Sequence, residues 1–441
     1  MSTRSARFVV YEHDTLVQDE HYDSPRGGKV RFEAHHLAAL AKYHDRTSTR
    51  AFTLGHRSLR LRQHVGFLRV GPVSLEVYPK LGRDAQERDW PGLMFHMLDV
   101  VAGVRLAPQD NAPLRSRSGE LFDILLARFL DLTQTILRAG LARSYREVEE
   151  NGTTFRGRLL VGQHLRANHV RQERMYVAYE VHDADNLPNR ILHRALERVM
   201  RTATSPDLLH RAQSALSAFP DLTPAPIRPA EWASLRYDRR TERYREALVL
   251  ARMVLHDERP DLRWGDHEVI ALLFDMNALF EAYVERALRG LAGVRVRAQR
   301  PARFWEPSSG PASWVKPDLL VFEDGDSVPL VLDTKWKVPK HGRPDDDDLR
   351  QVFAYLHTFG GRGGALLYPR ASAEQTATEG TFVVGTMPGH LVYLDLFSGG
   401  KPDLAAFRGA LPTALGLRAR APTAGAVREN EPLPKSHSSD R

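Results

Sequence analysis

The stretch 316–337, KPDLLVFEDGDSVPLVLDTKWK, sets two apolar runs either side of an acidic turn that contains glycine. Pro317-Asp318 opens the run 319–322, and Glu323-Asp324-Gly325-Asp326 supplies the residue types that tight hairpins favour. The following run 328–336, VPLVLDTKW, is mostly β-branched and apolar up to Asp333, which suits a strand buried on both faces. Asp318 therefore starts one strand and Asp333 ends the next, so an antiparallel pair sets the two carboxylates side by side. Adjacent carboxylates repel each other unless a cation separates them, and Mg²⁺ prefers oxygen ligands. Lys335 follows Asp333 by two residues and shares its strand face. Thr334 is expected to point the other way, its backbone carbonyl serving as an extra ligand.

An ammonium beside a cation held by two carboxylates can orient the attacking water and neutralise phosphate charge as it develops. The chain carries only nine lysines among its 62 Lys and Arg residues, and four of the nine fall between 316 and 340. A chain that otherwise uses arginine thus keeps lysine where a compact point charge is useful. Lys316 and Lys337 flank the motif, either as solvated neighbours or as phosphate contacts, and Trp336 reads as a packing residue.

Downstream, the acidic run 345–348 marks a helix start, where the helix macrodipole stabilises negative charge. On that helix Gln351 and Tyr355, four apart, share a face with each other. Core packing is the plainer single role for Tyr355. Upstream, 267–290 carries one long helical pattern, with Asn277 and Glu281 on its apolar stripe. A carboxylate there wants a partner. Lys335, a water of the metal site, or a salt bridge to Arg286 or Arg289 would each serve.

Together with EVYPKL (76–81), FRGRL (155–159), DADNLPNRIL (183–192), DMNALFEAYV (275–284) and DLRQVFAY (348–355), these motifs make the chain resemble the McrC family, the nuclease subunits of McrBC modification-dependent restriction systems. The resemblance covers most of the chain, from about 76 to 369. It implies a nuclease core of the PD-(D/E)xK superfamily, with Asp318 and Asp333 as metal-binding acids and Lys335 as catalytic lysine. Glu281 takes the place of the helix acid found in many such enzymes, as a third ligand. Gln351 and Tyr355 resemble the Gln-x-x-x-Tyr element of RecB-like nucleases. The implied cofactor is Mg²⁺, with Mn²⁺ as a substitute, and the implied substrate is DNA carrying modified cytosine. The implied partner is an McrB-like AAA+ GTPase oligomer, which binds the GTP itself and whose GTPase this chain would stimulate, its N-terminal half projecting into the ring. Double-strand cleavage favours a dimer of such complexes. A stand-alone nuclease of the same superfamily, and a non-cleaving activator of an AAA+ partner, are the alternatives.

Composition fits this picture. A formal charge of +7 and a pI near 9.6 suit a polyanionic partner. The chain has no cysteine, which excludes disulfides, thiol catalysis and Cys-ligated zinc, and its nineteen histidines show no zinc spacing. No G-x-x-x-x-G-K-[ST] loop occurs; the run 360–364, GGRGG, reads as the turn between the Tyr355 helix and a strand at 365–368. The N-terminal segment MSTRSARFVVYEHD lacks a signal peptide's apolar core and no long apolar span follows, so the expected location is cytoplasmic, with no membrane contact.

The expected fold class is α+β and multidomain: a β-rich, partner-engaging region at 1–85, a mainly helical middle at 86–255 with a β hairpin, an α/β nuclease domain with a mixed sheet at 256–410, and a disordered tail at 411–441. Strands are expected at 65–70 and 73–78 as a hairpin, and within 144–160 around the Asn151-Gly152 turn signal. Helices are expected near 32–43, 88–102, 119–140, 187–219 and 240–255. The arginines of 56–69 are one candidate for the projection.

Overall fold

The two apolar runs around Gly325 fold as antiparallel strands, Leu319–Glu323 and Leu330–Thr334, every residue of both buried. The computed structural model describes residues 6–24, 28–47, 50–82, 90–103, 121–224, 227–255, 263–264, 267–339, 343–371, 380–384 and 386–418. The chain divides into two compact units, one of Met1–Arg83 with Trp90–Met276, the other containing Asn277–Arg441.

In the second unit the two strands belong to a six-stranded mixed sheet. Its order is Val294–Ala298, Leu319–Glu323, Leu330–Thr334, Gly363–Pro369, Met387–Leu394 and Gly380–Val384. Leu330–Thr334 runs parallel to Gly363–Pro369, so the chain must cross a face of the sheet between them. The helix Asp346–Phe359 makes that crossing, and its Val352, Tyr355 and Leu356 join Leu320, Val331, Leu366 and Tyr368 in one core. The glycine run after the helix has two local causes. Gly360 caps the helix at a φ of 60°, in the left-handed region. A Cβ on Gly364 would fall 2.6 Å from Val352 Cγ1, so only glycine lets helix and strand approach this closely.

The first unit is built on a four-stranded sheet, ordered Ala6–Tyr11, Val73–Tyr78, His64–Val70 and Ile270–Asp275. Phe8, Val10, Leu68, Leu75 and Ala271 from these strands share a core with Leu40 and Tyr43 of the helix Ala34–Arg46. Glu76 of the EVYPKL segment is wholly buried in the sheet and pairs with Arg7 at 2.7 Å. Helices Leu121–Arg138, Leu187–Thr202, Pro206–Ser217 and Arg245–Leu255 follow, with a three-stranded sheet in which Met175–Asp183 lies between Ser144–Gly152 and Arg158–Leu159. No helix among the described residues is long and apolar enough to cross a membrane.

Five expectations need correction. The pattern over 267–290 is a strand, Ile270–Asp275, followed by a helix, Met276–Arg289. The strand is drawn onto His64–Val70, where Gly66 at a φ of 129° leaves room for Leu272 O, which a Cβ would meet at 2.0 Å. The unit boundary accordingly falls at Met276 rather than at 256. The Asn151-Gly152 pair does not turn the chain: Ser144–Gly152 stays extended and pairs with the later strand Met175–Asp183, and the Asn151 amide exchanges two hydrogen bonds of 2.9 Å with Asn168. The 187–219 pattern is two helices, the second starting at Pro206, because the residue before a proline is pushed out of helical geometry. The helix Leu404–Ala414 carries on past 411 with Leu411 fully buried, and the rest of the expected tail, from 419, lies outside the described residues.

Candidate active site

Register brings the acids together. Leu319 pairs with Leu332, so Asp318 and Asp333 stand opposite one another one step beyond the paired strand. Thr334, expected to face away, instead turns toward Asp318: its backbone N–H and its hydroxyl both donate to Asp318 Oδ2, at 2.7 and 2.8 Å. This fixes the Asp318 carboxylate at the mouth of the sheet. Asp333 is buried at 1% exposure, and its Oδ2 lies 2.7 Å from Lys335 Nζ. This oxygen has that one ion pair and no further donor among the described residues. Burial first, and then the Asp318 carboxylate, push the Asp333 carboxyl well above the usual carboxylate range.

The helix Asp346–Phe359 completes this cluster. Lys335 Nζ donates to Gln351 Oε1 at 2.8 Å, and Gln351 Nε2 donates to the Tyr355 hydroxyl at 2.6 Å. Tyr355 thus serves both roles weighed for it, packing its ring in the core and presenting its hydroxyl to the chain of polar groups. Burial above all pushes its phenol up to about 12, so it stays protonated at neutral pH.

Glu281, on the helix Met276–Arg289, meets neither Lys335 nor an arginine. Gln299 Nε2 donates to it at 2.6 Å, while Arg289 pairs with Glu285. Gln299 sits at a φ of 51°, a left-handed conformation that costs a non-glycine residue about 1–2 kcal/mol. Its backbone N–H also donates to Asp318 O at 2.9 Å. Strain of this kind is held where its surroundings fix it, and here it joins Glu281 to Asp318. Burial, then Asp318, push the Glu281 carboxyl up to about 7.

Beyond Gln299, two groups not expected from the sequence enter the site, Asp348 and Tyr368. Asp348, buried in the first turn of the helix, accepts from the Tyr368 hydroxyl at 2.9 Å, pairs with Lys337 at 2.8 Å and lies 3.7 Å from Lys335. Lys337 also pairs with Asp345 at 2.6 Å, so it is held by the helix's own acids, whereas Lys316 is exposed. The i, i+3 spacing of Asp348 and Gln351 was available as a signal, masked by the capping role that explains the acidic run equally well. Trp336 packs its ring 5.5 Å from Phe280.

Among the described residues no three His, Cys, Asp or Glu side chains converge into a ready cation cage. The donor set nonetheless fits a hard divalent cation. Asp318 and Asp333 are neighbouring carboxylates, burial and then Asp318 raise the Asp333 pKa, and Asp333 Oδ2 has no donor besides the Lys335 ammonium.

The sequence matches the family described as McrBC 5-methylcytosine restriction system component over residues 59–369. No protein of curated function matches it. Among solved structures, a chain of the half-complex from the tetradecameric assembly of Thermococcus gammatolerans McrB AAA+ hexamers with bound McrC aligns with a TM-score of 0.66 at 23% identity, covering 92% of this chain and 99% of that one. A chain of the Thermococcus gammatolerans McrBC complex aligns with a TM-score of 0.46 at 23% identity, over 64% of this chain and 87% of that one. The first of these likenesses extends to the fold of nearly the whole chain.

Proposed function

Because the chain belongs to the McrBC 5-methylcytosine restriction system component family, we propose that it is the endonuclease subunit of such a system, hydrolysing phosphodiesters in DNA that carries modified cytosine. The observation that carries this reading is the convergence of Asp318, Asp333, Lys335, Gln351 and Tyr355 on one end of a mixed sheet, with Glu281 joined to them through Gln299. Asp318 and Asp333 would hold Mg²⁺ or Mn²⁺, with Glu281 linked to them through Gln299 rather than converging on the same point. Such a cation lowers the pKa of water and offsets phosphate charge.

The chain's own residues do the rest. Gln351 and Asp333 hold the Lys335 ammonium from two sides, so its remaining donor is directed outward to a non-bridging phosphate oxygen. There it stabilises charge that grows as the phosphodiester is attacked. Tyr355 fixes the Gln351 amide, so that its oxygen rather than its NH₂ faces Lys335. Thr334 keeps Asp318 aimed at the same point.

The partner in this reading is an McrB-like AAA+ GTPase oligomer, which binds the GTP, and the chain stimulates that GTPase through its first unit. Of the arginines of 56–69, two are engaged within the fold and two are exposed: Arg57 pairs with Asp19, Arg69 donates to Thr202 O and stacks over Phe67, and Arg60 and Arg62 face solvent. The small sheet of Met175–Asp183 suits the partner better. Tyr145, Phe155, Val161, Leu165 and Val170 around that sheet are all exposed, and the helix Val161–Ala167 buries no residue. Charged replacements at Leu165 and Val170 are expected to abolish GTPase stimulation and leave the fold intact, as read by GTP turnover and circular dichroism.

The central test is cleavage of cytosine-methylated and unmethylated plasmid by the chain with its partner, Mg²⁺ and GTP, beside an Asp333→Ala control. Methyl-dependent cutting that the control lacks supports the reading. Cutting by the chain alone, regardless of methylation or GTP, replaces it with a stand-alone nuclease, and GTP turnover without any cutting replaces it with a non-cleaving activator.

A further inference from the structure

Gln299 and Asp318 are residues of the acid site and are also the two roots of a β ribbon. Between them, Ala302–Trp305 and Ser313–Val315 pair antiparallel, with Ala302 opposite Val315 and Arg303 opposite Trp314. Side chains alternate across such a ribbon. Val315 packs inward against the core that contains Val352 and Tyr355, so its neighbour Trp314 faces outward, 58% exposed. The register shifts between Arg303 and Trp305, and a shift of that kind re-aims side chains. Phe304 and Trp305 there are 50% and 59% exposed.

Among the described residues nothing buries these three large rings on so short a ribbon. Their surroundings are basic: Arg300, Arg303 and Lys316 stand against one acid, Glu306, in the segment 300–316. The Arg303 guanidinium lies 5.6 Å from the Trp314 ring centroid while pairing with Glu306 at 2.5 Å. On the adjoining strand Val294–Ala298, exposed Arg295 and Arg297 flank Phe322 at 5.1 and 5.3 Å. Exposed aromatic rings interleaved with arginine are what a nucleic acid takes, its bases and sugars against the rings and its phosphates against the cations.

We infer that the ribbon of 300–317 grips the DNA next to the scissile phosphate, with Phe304, Trp305 and Trp314 against bases or sugars and Arg300, Arg303 and Lys316 against flanking phosphates. The inference rests on the nuclease reading for the position of the scissile phosphate. It adds the surface that sets the strand over the acids. Because both ends of the ribbon are tied at the site, one through the Gln299 bond to Glu281 and the other through Asp318, DNA held on the ribbon is placed directly over them.

The test uses the full chain and a short fluorescein-labelled duplex, with Ca²⁺ in place of Mg²⁺ so that binding is read without cutting. Trp305→Ala with Trp314→Ala is expected to weaken binding by about tenfold or more. The melting temperature should be unchanged, since both rings are exposed. If that variant melts lower, Arg300→Glu, at an exposed position, is the replacement, with a similar loss of affinity expected. Wild-type affinity in a folded variant overturns the inference. So does a change in oligomeric state with DNA affinity intact, which would assign the rings to a second copy of the chain. Asp333→Ala separates the two readings: ribbon-dependent binding without cutting by any form sinks the nuclease reading alone, and normal cutting by the ribbon variants sinks this inference alone.

Discussion

Asp185 and Asp333 are both buried aspartates, one in each unit, and their surroundings are opposite in kind. Asp185 accepts from Arg190 Nε at 2.5 Å and from Thr223 Oγ1 and N at 2.6 and 3.2 Å, with Arg146 at 3.5 Å. The Arg190 hydrogen bond above all holds its carboxyl well below the usual carboxylate range. Asp333 has one close cation, no other donor to the oxygen that faces it, and a pKa pushed up by burial and then by a second carboxylate beside it. A buried acid whose acceptor sites are filled fastens structure. One left short of donors beside another acid is destabilised until something arrives, and that is what a binding site requires.

The same contrast gives the DADNLPN segment, whose role could not be derived from sequence, a physical account. Asn189 is fully buried and donates to Ala142 O and Ala184 O, while its own oxygen accepts from Tyr244, whose hydroxyl in turn accepts from Ala142 N at 2.7 Å. Asn186 caps the helix Leu187–Thr202 and also donates to Ala142 O. Arg146 grips Asp183 through two nitrogens. The segment ties a helix start to a distant strand entry, with its polar groups matched.

The largest expected effect breaks the contrast from the site's side. Asp333→Ala should lower cleavage by about a hundredfold or more, with a melting temperature no lower than that of the wild type. A large fall in melting temperature would make Asp333 a structural acid like Asp185. Next, Asp185→Ala should cost about 2–3 kcal/mol in denaturant unfolding. That is the low end for a buried pair, since Arg190 keeps 26% of its side chain exposed and water screens part of the loss. Tyr244→Phe leaves Ala142 N and the Asn189 oxygen short of a partner and should cost about 1–3 kcal/mol by the same measurement, with cleavage by folded protein unchanged.

The smallest effect is in the pH profile. The folded pKa of Asp185 is depressed, so in acid the unfolded chain binds more protons than the folded one and stability rises with pH. The contribution is present above the unfolded value of about 4 and is lost as pH falls toward the folded one. Melting temperatures between pH 5 and 3 should therefore fall more steeply for the wild type than for Asp185→Asn. Parallel slopes would remove Asp185 from the acid response.

Much of the second unit was readable because its strands are continuous apolar runs with a glycine turn between them, and such runs have few alternatives. Asp318, Asp333 and Lys335 were placed by a period of two, and Gln351 with Tyr355 by a period near four. Periodicity failed at 267–290, where a strand and a helix share one apolar pattern and the choice was made by a distant partner, His64–Val70, with Gly66 giving it room. It failed again at Asn151-Gly152, where a strong turn signal was overridden by pairing with Met175–Asp183. Gln299 and Tyr368 were invisible because nothing local distinguishes a site glutamine or a core tyrosine from its ordinary counterpart, and the spacing signal at Asp348 was masked by its capping role.

Residue order was enough to put two carboxylates and a lysine at the ends of paired strands, since alternation along a strand is set by backbone geometry alone. Which donors reach them depended on how the chain packs. Thr334 turned to Asp318, Gln299 took Glu281 in place of an arginine, and Asp348 joined the lysines, because hydrogen bonds are awarded by proximity in the packed chain. The contrast between a saturated Asp185 and an unsaturated Asp333 belongs to that second level, where the count of donors around a buried group separates a fastening from a site.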